Sequence, residues 1–547
     1  MHITVKQVSS LEKIRPQSLL EEPELTRKTL MGGQRFSWQI ALRASDRVAF
    51  TARVTSPTAP WVSLYAVVNV VMDLPTYDGA DEDYITKEPG LMPDLLLPLA
   101  DEKDPIRLAS EAGAIWVTAE VPEDTPAGMY PVTVELTAEG RTETEVYSVT
   151  MELDITGRNI LPQKTLFTQW FHVDCIAQAH HVEIYSEAHW ALISQYMALA
   201  RKMGINMILT PVITPPLDTA VGTSRPITQL VKIEKKGGRY EFDFRLLKRW
   251  IDLCNFHGFA CFEISHLFSQ WGLAAAPNIM VTENGEEKRM FGWHVPGNSP
   301  EYRDFLGQFL PALIAFFKAE GIQERCWFHV SDEPRAAHLD AYRYARDVII
   351  PLIDGCPTLD ALSDYAFYEQ GLVPIPVTKT DGIEPFLENH LPRQWAYYCC
   401  SQFKEVGNRF FAQPSYRNRI LGLQLYKYGI EGFLHWGFNF YNSRLSLKRI
   451  NPFITSSADK GFPSGDAFSV YPTEQGPVPS LRAVIFREAL EDIEVCRMLE
   501  AIIGRDAVVE LIDREAGEPL TFRRYPRNSD YIPNVVEKMQ QMNRNAG

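Results

Sequence analysis

The chain has 547 residues, of which 45% are hydrophobic and 22% charged, the composition of an ordinary globular protein. Its formal net charge of -15 excludes the basic surface that nucleic acid or an anionic membrane requires. Length alone indicates two to four domains, or one large barrel with an addition.

Met1 to Ser10 (MHITVKQVSS) lacks the apolar core of a secretory signal, and no run reaches the length of a membrane span. The eight cysteines form no CxxC pair, so reduced, buried thiols in a cytoplasmic protein are expected. Cys399 and Cys400, adjacent in an apolar run, read as core. There is no zinc-ligand spacing and no phosphate-binding glycine loop, and no cofactor is expected. Oligomeric state is left open, a homo-oligomer being compatible with the sequence.

Residues 1–160 read as all-β. Segments 47–54, 61–68, 114–121, 129–137 and 145–155 are short and rich in β-branched or aromatic residues, with Gly/Pro turns between them. This spacing predicts a β-sandwich, a positioning module without chemistry. Residues 89–98 (PGLMPDLLLP) read as a long loop able to reach another domain.

Residues 161–505 change pattern to strands alternating with helices. Candidate strands are 166–172, 207–212, 261–267, 327–331, 359–365, 373–380, 395–400 and 432–438. In the sixth, Pro374 and Pro376 are poor strand residues. Helices are expected over 186–203 behind a Ser cap, 244–257 ending at Gly258, 301–320 ending at Gly321, 337–353, 416–428 and 480–503. Such alternation predicts a (β/α)8 TIM-type barrel. A doubly wound sheet is disfavoured because no glycine-rich turn follows the first strand. On the last helix Glu488, Glu491 and Asp492 read as a solvated face, and residues 506–547 as a polar carboxyl-terminal extension.

Barrel enzymes keep their chemistry at the carboxyl ends of the strands. The strand ends here supply His172 and Asp174, Glu263 and His266, Asp332 and Glu333, Asp364 and Tyr365, and residues 435–441, with Tyr441. Trp170, Trp271, Trp395 and Trp436 lie at or near strands and could wall a cleft. Carboxyls for proton transfer and aromatic faces for pyranose rings are what a sugar site needs, and no serine or cysteine nucleophile motif competes. The sharpest feature is Cys326-Trp327-Phe328-His329-Val330-Ser331-Asp332-Glu333-Pro334, two adjacent acids leaving a strand. The same acids could simply cap the following helix, a contact worth ~0.3–1 kcal/mol. A metal site from His172, Asp174 and Asp332 is chemically conceivable, but nothing in the spacing fixes it, and none is expected.

Trp327 to Pro334, with residues 396–401 (AYYCCS), 432–437 (GFLHWG), 465–472 (GDAFSVYP), 480–482 (SLR) and 487–492 (REALED), resembles glycoside hydrolase family 123 and its relatives over about residues 50–500. The resemblance implies a β-N-acetylgalactosaminidase that retains configuration by substrate assistance, the substrate's acetamido oxygen forming an oxazoline. It implies Glu333 as general acid, then base, and Asp332 as the residue that orients and polarises the acetamido N–H. His172, Trp395 and Trp436 would hold the sugar, and Tyr365 or Tyr441 would hydrogen-bond the acetamido oxygen. Asp174 and His266 complete the expected substrate-binding set. The expected substrate is a small carbohydrate or glycoside. A glycosidase for a sugar without an acetamido group would need a second carboxylate, with Asp174, Glu263 and Asp364 as candidates. A noncatalytic carbohydrate-binding protein would bind without turnover.

Overall fold

A computed structural model describes residues 2–99 and 104–545. The chain opens with β1 (Ile3–Ser9), β2 (Arg27–Gly32), β3 (Arg35–Ala44), β4 (Arg47–Val54), β5 (Val62–Met72), β6 (Gly90–Pro98), β7 (Ile106–Ala109), β8 (Ala112–Glu120), β9 (Gly128–Glu139) and β10 (Thr144–Asn159). These strands make two five-stranded sheets, ordered β1-β3-β8-β5-β6 and β2-β10-β9-β4-β7. Period-two alternation explains why they share a core. Val132, Val134, Leu136 and Ala138 of β9 bury one face, in one apolar cluster with Trp38, Ile40 and Leu42 of β3 and Ile115 and Val117 of β8.

Residues 90–98 correct the expectation of a loop: they form edge strand β6, paired antiparallel with β5. The strand does reach the rest of the molecule. Asp94, buried, pairs with Arg482 at 2.7 Å, and Leu95 bridges to Ser480.

The chain then alternates through β11 (Leu166–Gln169), α1 (Val173–Ala179), α2 (Glu187–Lys202), β12 (Met207–Thr210), β13 (Lys232–Lys236), β14 (Arg239–Asp243), α3 (Arg245–Phe256), β15 (Cys261–Ile264), β16 (Ile279–Glu283), β17 (Glu286–Phe291), α4 (Pro300–Ala319) and β18 (Cys326–Phe328). It continues through α5 (Leu339–Ile349), β19 (Leu359–Leu362), α6 (Ala366–Glu369), β20 (Ile375–Lys379), α7 (Glu384–Glu388), β21 (Trp395–Tyr397), α8 (Tyr416–Arg419), α9 (Leu421–Lys427) and β22 (Gly432–His435). Each of the eight strand segments expected after residue 160 contains a strand. All their pairings are parallel, in the orders β11-β22-β21-β20-β19 and β12-β15-β18. The two sheets touch at both ends: Asn206 N–H donates to the Phe167 carbonyl at 3.0 Å, and Phe328 N–H to the Pro357 carbonyl at 2.9 Å. Ser186 and Ser299 cap α2 and α4 through their side chains, as their sequence positions favour.

One sheet was not anticipated. β14-β13-β16-β17 is inserted after β12 and β15, on strands too polar to show a core-facing pattern. Its β16–β17 turn is Asn284-Gly285, both at positive φ (54° and 82°), the geometry that Asn-Gly favours in a hairpin.

The last elements are β23 (Val470–Thr473), β24 (Gly476–Pro479), α10 (Leu481–Ile503), α11 (Arg505–Ala516) and α12 (Tyr531–Asn545). Glu488, Glu491 and Asp492 are not a solvated face: each is at most 3% exposed. The correction has a physical cause. α10 is wedged between α9, α12 and the amino-terminal sheets, and its acids take partners from both sides. Glu488 accepts from Ser37 N–H and Arg419, Glu491 from Arg35 N–H, and Asp492 from Arg419, at 2.9 Å in each case. The carboxyl-terminal extension is equally integrated. α12 buries Tyr531, Ile532, Val535, Val536 and Met539, and its Glu537 pairs with Lys28 of β2 at 2.9 Å. No helix among the described residues is long and apolar enough to cross a membrane.

Candidate active site

The carboxyl ends of the parallel strands surround a pocket of about 610 Å³, counted to its open mouth. Asp332 and Glu333 lie in its wall with Trp170, Leu217, Asp218, Gln270, Trp271, Ala361, Tyr397, Cys399, Cys400, Leu434, Trp436 and Phe462. The two acids leave β18 in different directions because Glu333 has φ of +43°, in the left-handed region that a residue with a Cβ adopts only when its surroundings impose it.

Each acid is held by its own donor. Tyr397 of β21 donates its hydroxyl to Glu333 Oε1 at 2.7 Å. Gln270, in the loop after β15, donates Nε2–H to Asp332 Oδ2 at 2.7 Å, and Trp271 N–H reaches the Asp332 carbonyl at 3.3 Å. Gln270 is itself fixed, its Oε1 accepting from Asp218 N–H. Asp332 is 6% exposed. Burial first, and then the neighbouring Glu333, push its carboxyl up to about 8. A buried carboxyl beside a second acid is costly to ionise, so Asp332 holds its proton near neutral pH. Asp218 is a third carboxyl in the wall; burial raises it to about 6, and its Oδ2 accepts from Leu445 N–H at 2.9 Å.

Trp436 supplies an aromatic wall. Its indole N–H donates to Asp466 at 2.9 Å and its ring packs on Phe440 and Phe462, both at 5.0 Å. Trp170 forms part of the floor, anchored by its N–H to Glu263 at 2.7 Å.

Of the residues expected from the sequence, the pocket unites Asp332, Glu333, Trp170, Trp271 and Trp436. The others lie behind or beside it. His172, 3% exposed, holds the Trp436 carbonyl through Nε2 at 2.9 Å and meets Arg225 at 3.1 Å; burial and then Arg225 pull it down to about 3, so it is neutral. Asp174 forms a buried ion pair with Arg225 at 2.6 Å. Neither group is therefore free to join Asp332 in a metal site. His266 stacks on His329 at 4.2 Å, deep in the interior. Trp395 is fully buried against Trp327, lying over Gly432, where an added Cβ would come within 2.3 Å of the indole. Tyr441 is buried with its hydroxyl on the Val470 carbonyl at 2.9 Å. Tyr365 packs against Tyr368 and Phe386 outside the pocket wall.

Among the second-carboxylate candidates, Glu263 is enclosed by Thr168, Trp170 and His329, and Asp364 accepts from Ala366 N–H at the start of α6. Cys399 and Cys400 correct their reading as core: both are partly exposed and line the pocket, because β21 ends at Tyr397 and the chain turns across the mouth. Sequence reasoning missed Tyr397, Gln270 and Asp218. For Tyr397 a signal existed, since it shares a strand face with Trp395 and lies one layer nearer the carboxyl end. Gln270 and Asp218 sit on loops with no such register.

His266, His329 and Asp360 bring potential metal-ligand atoms within 4.8 Å of one another. Both ring nitrogens of His329 are already bonded to carboxylates, Nε2 to Glu263 at 2.6 Å and Nδ1 to Asp360 at 3.1 Å.

Two adjacent acids held by separate donors, with aromatic walls, are the equipment of a glycosidase, and the comparisons agree. Residues 170–499 match the model described as "Glycoside hydrolase 123, catalytic domain". The chain belongs to glycoside hydrolase family 123, and glycosidase activity follows from that membership. A family 123 glycoside hydrolase from Clostridium perfringens, whose structure was studied for glycolipid glycan hydrolysis, shares its fold. The identity is 14%, the TM-score 0.74, and the alignment covers 100% of this chain and 99% of that one. A Parabacteroides merdae β-glucuronidase aligns over 89% of this chain and 51% of its own, at 12% identity and a TM-score of only 0.32. No curated protein sequence matches the chain.

Proposed function

We propose that the protein removes terminal β-linked N-acetylhexosamine, N-acetylgalactosamine foremost, from small glycosides, retaining anomeric configuration through the substrate's own acetamido group. The observation that carries this reading is the divergence of Asp332 and Glu333 to separate donors, Gln270 and Tyr397, within one pocket. Adjacent acids so held address two substrate atoms at once. Glu333 gives its proton to the glycosidic oxygen as the bond to the anomeric carbon breaks. The acetamido carbonyl oxygen attacks that carbon, and Asp332 accepts a hydrogen bond from the acetamido N–H. The resulting oxazolinium ring is opened by water, whose proton returns to Glu333. The raised Asp332 carboxyl suits this cycle, because an N–H arriving at Asp332 favours its ionised form.

The domain reading goes with it. Residues 161–505 form a (β/α)8 barrel, supported by the strand order and by the Asn206–Phe167 and Phe328–Pro357 bonds where the two parallel sheets meet. Residues 1–160 are a β-sandwich, supported by the shared apolar cluster, and residues 506–547 are an extension that fastens the two. Eight free thiols support the cytoplasm as its compartment.

The test is release of nitrophenol from aryl N-acetyl-β-galactosaminide and glucosaminide. Glu333→Gln is expected to lose about 10³-fold or more in kcat, and a thiazoline mimic of the oxazoline to inhibit competitively. Full activity in Glu333→Gln overturns the assignment.

A second reading draws on Asp218, which shares the pocket wall and lies buried. It would serve as the second carboxylate for a sugar lacking an acetamido group. Hydrolysis of aryl glycosides without that group, abolished by Asp218→Asn, would favour it.

A further inference from the structure

Beneath the pocket lies a charged cluster sealed from water. Glu263, His329 and Asp360 belong to β15, the end of β18 and β19, and all three are fully buried. His329 meets a carboxylate at each ring nitrogen, at 2.6 Å and 3.1 Å. An imidazole that donates at both nitrogens carries both protons and a positive charge. Burial pulls this imidazolium down, but its hydrogen bonds to Asp360 and Glu263 outweigh burial and hold it at about 10.

Each carboxylate is also tied to the pocket. Glu263 accepts from Thr168 at 2.6 Å and from Trp170, a floor residue, at 2.7 Å. Asp360 accepts from the Val330 backbone N–H at 3.2 Å, two residues before Asp332, and from the Tyr342 hydroxyl. One cluster thus pins four strands at the level from which the catalytic pair emerges.

We propose that Glu263, His329 and Asp360 form a hydrogen-bonded triad that positions Asp332 and Trp170 and shapes the electrostatic surroundings of Asp332. Its members touch no substrate, so they are positioning residues, and their catalytic consequence rests on the hydrolase reading. Within the triad His329 lowers and Asp360 raises the Asp332 carboxyl. Asp332 faces the triad from the pocket side. Glu333 stands beside it, Asp218 and Gln270 come from the loops after β12 and β15, and Tyr397, Cys399 and Cys400 come from the end of β21. His329 faces Glu263, Asp360, the edge-on ring of Trp170 and the ring of His266, which burial and then His329 keep neutral.

Asp360→Asn and Glu263→Gln keep shape and one acceptor oxygen each, while replacing the ionisable carboxyl and turning its other oxygen into a donor. In both variants kcat is expected to fall about tenfold or more with KM within about threefold, the signature of a misplaced catalytic group rather than lost binding. Without the Asp360 carboxyl, which raises Asp332, Asp332 releases its proton more readily, so in Asp360→Asn the rising limb of the pH–rate profile moves down by about one unit. Carbon-13 carboxyl NMR of Asp332 is expected to show the same downward displacement without needing turnover. His329→Gln strands two buried carboxylates and is expected to fold poorly, which is why the carboxylate variants decide. A lower Tm accompanied by wild-type kcat, pH profile and Asp332 titration would mean the triad is structural only, overturning the proposal. If the wild-type protein hydrolyses none of the glycosides, the hydrolase reading fails by itself. The Asp332 titration then judges the triad alone, and no displacement in either variant overturns it.

Discussion

Replacing Gln270 by leucine tests how the pocket sets the proton affinity of Asp332. Gln270 is the side-chain donor to Asp332, at 2.7 Å, and it stabilises the ionised form. A hydrogen bond to a charged group contributes ~1.5–3 kcal/mol. Gln270 is only partly buried, so the lower end of that range applies. At ~1.4 kcal/mol per unit, its loss raises the Asp332 carboxyl by about one unit beyond its present value of about 8. If Asp332 must meet the acetamido N–H as a carboxylate, kcat/KM at neutral pH falls about tenfold and the rising limb of the profile moves up by about one unit. The assay is the pH dependence of aryl N-acetylgalactosaminide hydrolysis, wild type against Gln270→Leu. A profile that superimposes on wild type, or a limb displaced downward, refutes the role given to Asp332.

Asp332→Asn is expected to be inactive yet more heat-stable at pH 8. The native carboxyl is raised from 3.8 to about 8, so unfolding releases its proton and wild-type stability falls as pH rises through that window. The asparagine variant lacks this loss, and a Tm gap that fails to widen between pH 4 and 8 in thermal scans would contradict it. Trp436→Ala removes an aromatic wall and should lower kcat/KM by roughly tenfold, mainly through KM, as steady-state kinetics would show; an unchanged KM would remove Trp436 from the sugar site. Asp94→Ala leaves buried Arg482 without its 2.7 Å partner and should cost about 3–5 kcal/mol in denaturant unfolding. A loss below about 1 kcal/mol, the range of a solvated pair, would mean water reaches that interface.

How much of this was legible in the sequence follows from how each feature is encoded. Strand and helix periodicity is local, so all eight parallel strands, the caps at Ser186 and Ser299 and the exit of Asp332 and Glu333 could be read from residue spacing. Depth is not local. Trp395 and Tyr397 share a face, yet one is core and the other touches Glu333, because only distance along the strand separates interior from pocket. Charge is read worst. Glu488, Glu491 and Asp492 look like a solvated helix face until Arg419 and the backbone of β3 arrive from distant sequence. The Asn-Gly hairpin of β16–β17 was readable by turn chemistry, but its polar strands carried no burial pattern.

The buried acids also differ in what accompanies them, and the difference separates scaffold from site. Asp94 is met by Arg482, Asp174 by Arg225 and Asp492 by Arg419, each through a guanidinium in contact. Glu263 and Asp360 share the imidazolium of His329. Asp332 and Asp218, which line the pocket, accept direct hydrogen bonds only from neutral donors, the Gln270 amide and the Leu445 N–H. A guanidinium in contact fixes its acid in place, suited to joining sheets and helices. Where a buried carboxyl has no such partner, the charged form is costly and the proton stays within reach of neutral pH. Around Asp332 and Asp218 the fold supplies hydrogen bonds from neutral donors without a contacting guanidinium, and burial raises both carboxyls toward neutral pH.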